Sequence, residues 1–78
     1  MTDETMSLFL EFAYRSEQEG RDPTLDGVLS PEDKARLTHL KVAGLVTTDD
    51  CEVMRTVIVS FTAEGVALAR DHGHEVSR

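Results

Sequence analysis

Seventy-eight residues make one domain, residues 1–78, near the lower limit of what folds alone, where roughly 60% of the unfolded chain's surface can be buried. Fifteen acids against eight Lys and Arg leave a formal net charge of −7, which opposes generic binding to phosphate or to an anionic membrane, while 40% hydrophobic residues exclude wholesale disorder. Cys51 is the only cysteine, which excludes an intramolecular disulfide and a cysteine-built zinc site and fits a reducing cytoplasm; Met1 to Thr5 hold two acids and no base, unlike a signal peptide, and no apolar run reaches the roughly 18 residues of a spanning helix.

Thr2 or Asp3 can cap a first helix running to about Gln18, with Glu4 in its first turn and Gly20 as its stop. Met6, Phe9, Leu10 and Ala13 fall at i, i+3, i+4 and i+7 and predict one buried face. Leu8 and Phe12 widen the apolar arc on a neighbouring strip. Either the domain wraps this helix on both sides, or Leu8 and Phe12 meet a second copy in a homodimer. From Gly20 to Leu29 the chain reads as a connector in which Pro23 could open one helical turn and Val28-Leu29 could add a third short strand.

Ser30-Pro31-Glu32-Asp33 is a helix start: a capping serine, proline at the first position and an acid able to complete a capping box. The helix should run to Ala43, with Leu37 and Leu40 inward and Gly44 as its left-handed stop. Its outward face then carries Ala35, Thr38, His39 and Val42, flanked by Lys34 and Lys41 on one side and Arg36 on the other. Small neutral residues ringed by bases resemble a protein-contact patch, whereas a groove reader would put Arg, Asn or Gln at the centre. A plain solvated face has the same composition.

Leu45 to Thr48 and Met54 to Phe61 read as strands joined by Asp49-Asp50-Cys51-Glu52, with Val57, Val59 and Phe61 on the core side. Thr62 caps a last helix, with Glu64 in its first turn, ending at His72 and Gly73. Residues 1–3 and 74–78 read as loose ends.

The pattern Leu37-x-x-Leu40-x-x-x-Gly44-Leu45-Val46, a hairpin, then Phe61-Thr62-x-Glu64-Gly65 resembles the winged-helix regulators of the MarR, PadR and ArsR type over Ser30 to Ala69. The resemblance implies an α+β winged-helix fold of three helices and a two- or three-stranded wing, a recognition helix ending at Gly44, and transcription regulation through a helix-turn-helix. Two departures stand against it. Only Asp22 to Val28 remain to supply the second helix of the family. The elements that would approach phosphates hold acids, Glu32 and Asp33 at the helix start and Asp49, Asp50 and Glu52 on the wing, where Arg or Lys would serve.

His72 and His74 with Asp71 and Glu75 are too divergent on a helix end to predict a metal site, and His72 already suits the helix dipole. Cys51 lies between Asp50 and Glu52, a setting that blunts a thiolate nucleophile. No enclosed carboxylate pair and no glycine-rich phosphate loop is present, so no catalytic residue and no cofactor is expected. These features point to a cytoplasmic regulatory or adaptor protein with a protein partner. The alternatives are a DNA-binding transcriptional regulator of a salt-adapted organism and an acidic, phage-type inhibitor that mimics nucleic acid.

Overall fold

The computed structural model describes residues 2–26, 29–51, 53 and 55–76. Val28, Glu52 and Met54, each given a role above, lie outside them. The order is α1 (Asp3–Glu19), β1 (Thr24–Asp26), α2 (Pro31–Val42), β2 (Val46–Cys51), β3 (Thr56–Phe61) and α3 (Ala63–Asp71). Three helices and a three-stranded antiparallel sheet of order β1-β3-β2 give an α+β, winged-helix-like layout.

The ends of α1 follow from local chemistry. The Thr2 hydroxyl accepts the Thr5 N–H at 3.1 Å, and Gly20, at φ 68°, donates its N–H to Ser16 O. The buried stripe is Thr5, Phe9, Phe12, Ala13 and Ser16, rotated from the expected one, so that Met6 and Leu10 are only half-buried. Phe12 therefore does not widen a surface arc. It is 1% exposed and closes the core, which removes it as a dimer contact.

No helix stands between α1 and α2 among the described residues. Pro23 is buried and opens a strand, not a helical turn: its carbonyl accepts the Val59 N–H, and Asp22 accepts the Ser60 hydroxyl at 2.9 Å. The third strand is thus Thr24–Asp26, paired with Ile58 to Thr56, and Leu29 belongs to no strand. Without β1 the backbone groups of β3 on that side would lose their ladder partners, and this outweighs the local turn tendency of Pro23.

Ser30 caps α2 as expected, accepting the Asp33 N–H at 3.2 Å. The Asp33 carboxylate holds Arg36 at 3.0 Å instead of reaching back to the cap. At the other end Leu45 donates to Leu40 O and Gly44 to Lys41 O, the paired bonds of a Schellman stop, with Gly44 at φ 78°. The turn delivers the buried residues Leu45 and Val46 into β2.

β2 is longer than the sequence suggests. It stays in register with β3 from Val46↔Phe61 to Cys51↔Thr56, so Asp49, Asp50 and Cys51 are strand residues and not a turn. β3 is the reason: rich in β-branched residues, it pairs on both sides and carries the acids with it. Val59 and Phe61 are buried, with Val57 half-buried beside them on the same face. Phe61 meets Phe9 edge-on, ring centroids 5.7 Å apart.

Thr62 joins three elements. Its hydroxyl accepts the Gly65 N–H and donates to Gly44 O, while its own N–H reaches Leu45 O. After α3, Gly73 (φ 84°) turns the chain back, and residues 74–76, expected to be loose, lie along α1. The Glu75 N–H donates to Glu17 Oε2 at 2.9 Å, His74 Nδ1 stands 3.6 Å from Glu17 Oε1, and His74 meets Tyr14 edge-on.

That clasp has a pH signature. The Glu75 N–H holds the Glu17 carboxyl below its ordinary value of 4.5; partial desolvation opposes this and His74 adds to it. A carboxyl lowered on folding stabilises the folded form above its unfolded value, and the contribution is lost as pH falls through the folded one. The Glu75 amide resonance should accordingly titrate with a midpoint below 4.5, and Glu17→Gln should abolish that titration. An amide shift flat from neutral pH to pH 3 would mean that Glu75 and Glu17 are not bonded in solution.

Candidate functional site

With Leu37 and Leu40 buried, the rest of α2 turns outward, and Ala35, Thr38, His39 and Val42 are all exposed, Val42 by 81%. Lys34 and Lys41 are exposed on one flank, and Arg36, half-buried on the other, is held by Asp33. The patch expected from sequence is therefore one continuous helix face. It is shallow, and its apolar content is modest: the alanine methyl, the valine and the threonine methyl. Such a surface suits shape-matched contact with another protein better than enclosure of a small molecule.

The lysine flank does more than rim this face. Lys34, Thr38 and Lys41 form one wall of a groove of about 180 Å³ between α2 and the hairpin. Leu29, Leu37 and Val57 make its floor, and Thr48 and Asp50 its far wall. Lys34, Lys41 and Asp50 form no ion pair within 4 Å among the described residues. Leu29, Thr48 and Val57 carry no site signal in the sequence. They become a site only because the packing of α2 on the sheet sets them beside the lysines.

The acidic patch of the wing is not one patch. Asp50 is paired with Val57, on the face shared with Val59 and Phe61, and so looks toward α2. Asp49 is paired with Ile58 and faces the other way. Strand alternation divides what a loop would have gathered, and Glu52 lies outside the described residues.

Leu8, half-buried, lines a second hollow of about 100 Å³ with Leu25, Leu29 and Leu37 between α1, β1 and α2. Phe12 sits at its floor, and Glu11, Arg15 and Asp33 surround it. A dimer contact here would rest on Leu8 without the aromatic ring that the sequence pairs with it.

Glu32 and Asp33 occupy the first turn of α2, where they complement the positive end of the helix dipole. His72 caps α3 and is exposed, and His74 is drawn to Glu17, so the two histidines serve different contacts. Among the described residues no three His, Cys, Asp or Glu side chains gather as a metal-binding group, and no helix is long and apolar enough to cross a membrane. No family model matches the chain, and no curated protein or solved structure matches it either.

Proposed function

We propose that the chain is a small regulatory or adaptor protein that acts by protein contact through the outer face of α2. The observation that carries this is the unbroken exposed run Ala35, Thr38, His39 and Val42 beside Lys34 and Lys41, on a chain whose net charge is −7. Exposed valine and alanine gain from being covered, and the lysines give a partner orientation. Co-purification from the native cell, with and without nuclease, should recover a protein partner in both samples. His39→Glu should lose that partner while leaving the melt unchanged, since His39 is exposed. Recovery that depends wholly on intact nucleic acid would refute the proposal.

The winged-helix-like layout favours a second reading, a DNA-binding regulator from a salt-adapted organism. Against it, the described residues between α1 and α2 form no helix to complete a helix-turn-helix, and α2 begins with two acids. Binding of the wild-type chain to generic duplex should be undetectable at physiological salt. Exchanging Asp49, Asp50 and Glu52 for Lys should create salt-sensitive, sequence-indifferent binding, because affinity of that kind comes from cations displacing counterions. Tight wild-type binding to one operator, with a steep salt slope, would put the DNA-binding reading first.

A further inference from the structure

Lys34 and Lys41 are the only lysines in the chain, and both line the groove between α2 and the hairpin. Seven residues apart on one helix, they share one flank and stand about 10.5 Å from each other along the axis. Below them Leu29, Leu37 and Val57 make an apolar floor, and since Leu29 and Val57 are only half-buried, part of that floor is open. Two lysines against the single Asp50 give the groove a positive excess, opposite in sign to the whole chain with its net charge of −7. None of the three is held in an ion pair among the described residues.

The spacing of the lysines selects the form of an occupant. In an extended chain the residues of one face recur about every 7 Å, so a second acid falls well short of the second lysine at i+2 or well past it at i+4. In an α-helix residues i and i+7 lie nearly on one line, about 10.5 Å apart, which repeats the separation of Lys34 and Lys41 on a helix laid alongside α2. The side chain at i+4 projects about 50° to one side of that line. With the acids turned to the lysines, one of the two directions of such a helix points that side chain down to the floor. This is the helix-in-groove mode, in which a few residues at helical spacing carry the contact.

We infer that the groove receives an amphipathic helix of a partner protein that reads acid, apolar, acid at i, i+4 and i+7. The two carboxylates meet Lys34 and Lys41, whose flexible stems lie along the added helix, and the apolar side chain between them covers Leu29 and Val57. Asp50, on the far wall, disfavours an acid on the hairpin side and so keeps the acids against α2. A second copy of this chain carries the same pattern in Glu4, Leu8 and Glu11 of α1, but it is the poorer occupant. Its Leu8 is half-buried in the hollow over Phe12 and Leu25 of its own fold, and two copies of net charge −7 repel. The binding mode rests on the protein-contact function proposed above and supplies the chemistry of its partner.

The test uses an acetylated, amidated alanine–glutamine helix of about 18 residues with Glu, Leu and Glu at i, i+4 and i+7. Beside it stand a register control of equal composition with the second Glu moved to i+5, off the line, a version with both Glu changed to Lys, and one with Leu changed to Ser. Each is titrated at low ionic strength into the isotope-labelled full chain and followed by amide shifts. The acidic helix should give saturable shifts at Lys34, Thr38, Lys41 and Val57, and Lys34→Glu with Lys41→Glu should weaken it roughly tenfold, the sum of two exposed charge contacts. Both lysines are exposed, so the double variant should keep its melt. The Lys version should prefer that variant to the wild type, which separates a reversed contact from a damaged fold. The register and Ser controls should both bind more weakly. Equal binding of the register control, shifts confined to the opposite sheet face around Ile58, absence of saturable shifts up to roughly millimolar peptide, or self-association of the chain that Glu4→Lys with Glu11→Lys abolishes would each overturn the inference. Loss of a cellular partner on His39→Glu, with no peptide response, would leave the protein-contact function standing and remove only this binding mode.

Discussion

Phe61→Ala should leave much of the population unfolded at ambient temperature. The ring is 4% exposed, packs edge-on against Phe9, and sits where β3 pairs with Val46 of β2. It therefore links the first helix to both hairpin strands, and its loss leaves a cavity bordered by three elements that cannot all close in. Truncations of this kind cost about 3–5 kcal/mol. A domain of this length has total stability near the lower end of the usual range, about 5 kcal/mol. Circular dichroism on heating would report the outcome. A cooperative transition within a few degrees of wild type would show that Phe61 does not hold the core together.

Gly65→Ala should destabilise the domain although alanine is the better helix former. In an ordinary helix interior the exchange gains about 1 kcal/mol. Here a Cβ on residue 65 would overlap the carbonyl oxygen of Leu45 and stand 3.1 Å from its carbon. The obstacle is backbone, and it is held in place, since Leu45 O accepts the Thr62 N–H and Thr62 caps the helix in which Gly65 lies. Either α3 moves away from the turn after α2 or those bonds break, at a net cost of about 1–3 kcal/mol. Denaturant melts of Gly65→Ala beside Ala67→Gly, an exposed position in the same helix, separate the two effects. A midpoint for Gly65→Ala above wild type would mean that α3 does not approach Leu45 so closely.

Much of the helical frame was legible because helices announce themselves within a few residues. Thr2, Ser30 and Thr62 are the observed caps, Gly20 and Gly44 the observed stops, and Leu37 and Leu40 the observed inward residues. The exposed face of α2 followed from the same periodicity. What was missed depends on partners distant in sequence. β1 has three residues and exists because β3 offers them an edge, so Pro23 could not reveal it. Asp49 and Asp50 look like turn residues until β3 fixes their register. Gly65 seems to be one more permissive glycine, yet it is required by the approach of Leu45 and not by its own backbone angles. The groove beside Lys34 and Lys41 belongs to the same class, since Leu29 and Val57 are distant in sequence and only the packed fold brings them to one floor.

The central place of β3 also sets an order of assembly. Only four residues separate Cys51 from Thr56 in the sequence, so the two strands pair at little cost in chain entropy. β1 must wait for Ile58, across the whole of α2 and β2, and three residues of ladder return little for closing so long a loop. The hairpin with α2 and α3 is thus the part that can form early, joined by Thr62 and by Gly65 beside Leu45, and β1 arrives as a late addition to one side of it. A strand with so short a ladder is expected to open readily, so hydrogen exchange should find the β3 amides that face Thr24–Asp26 less protected than those that face β2.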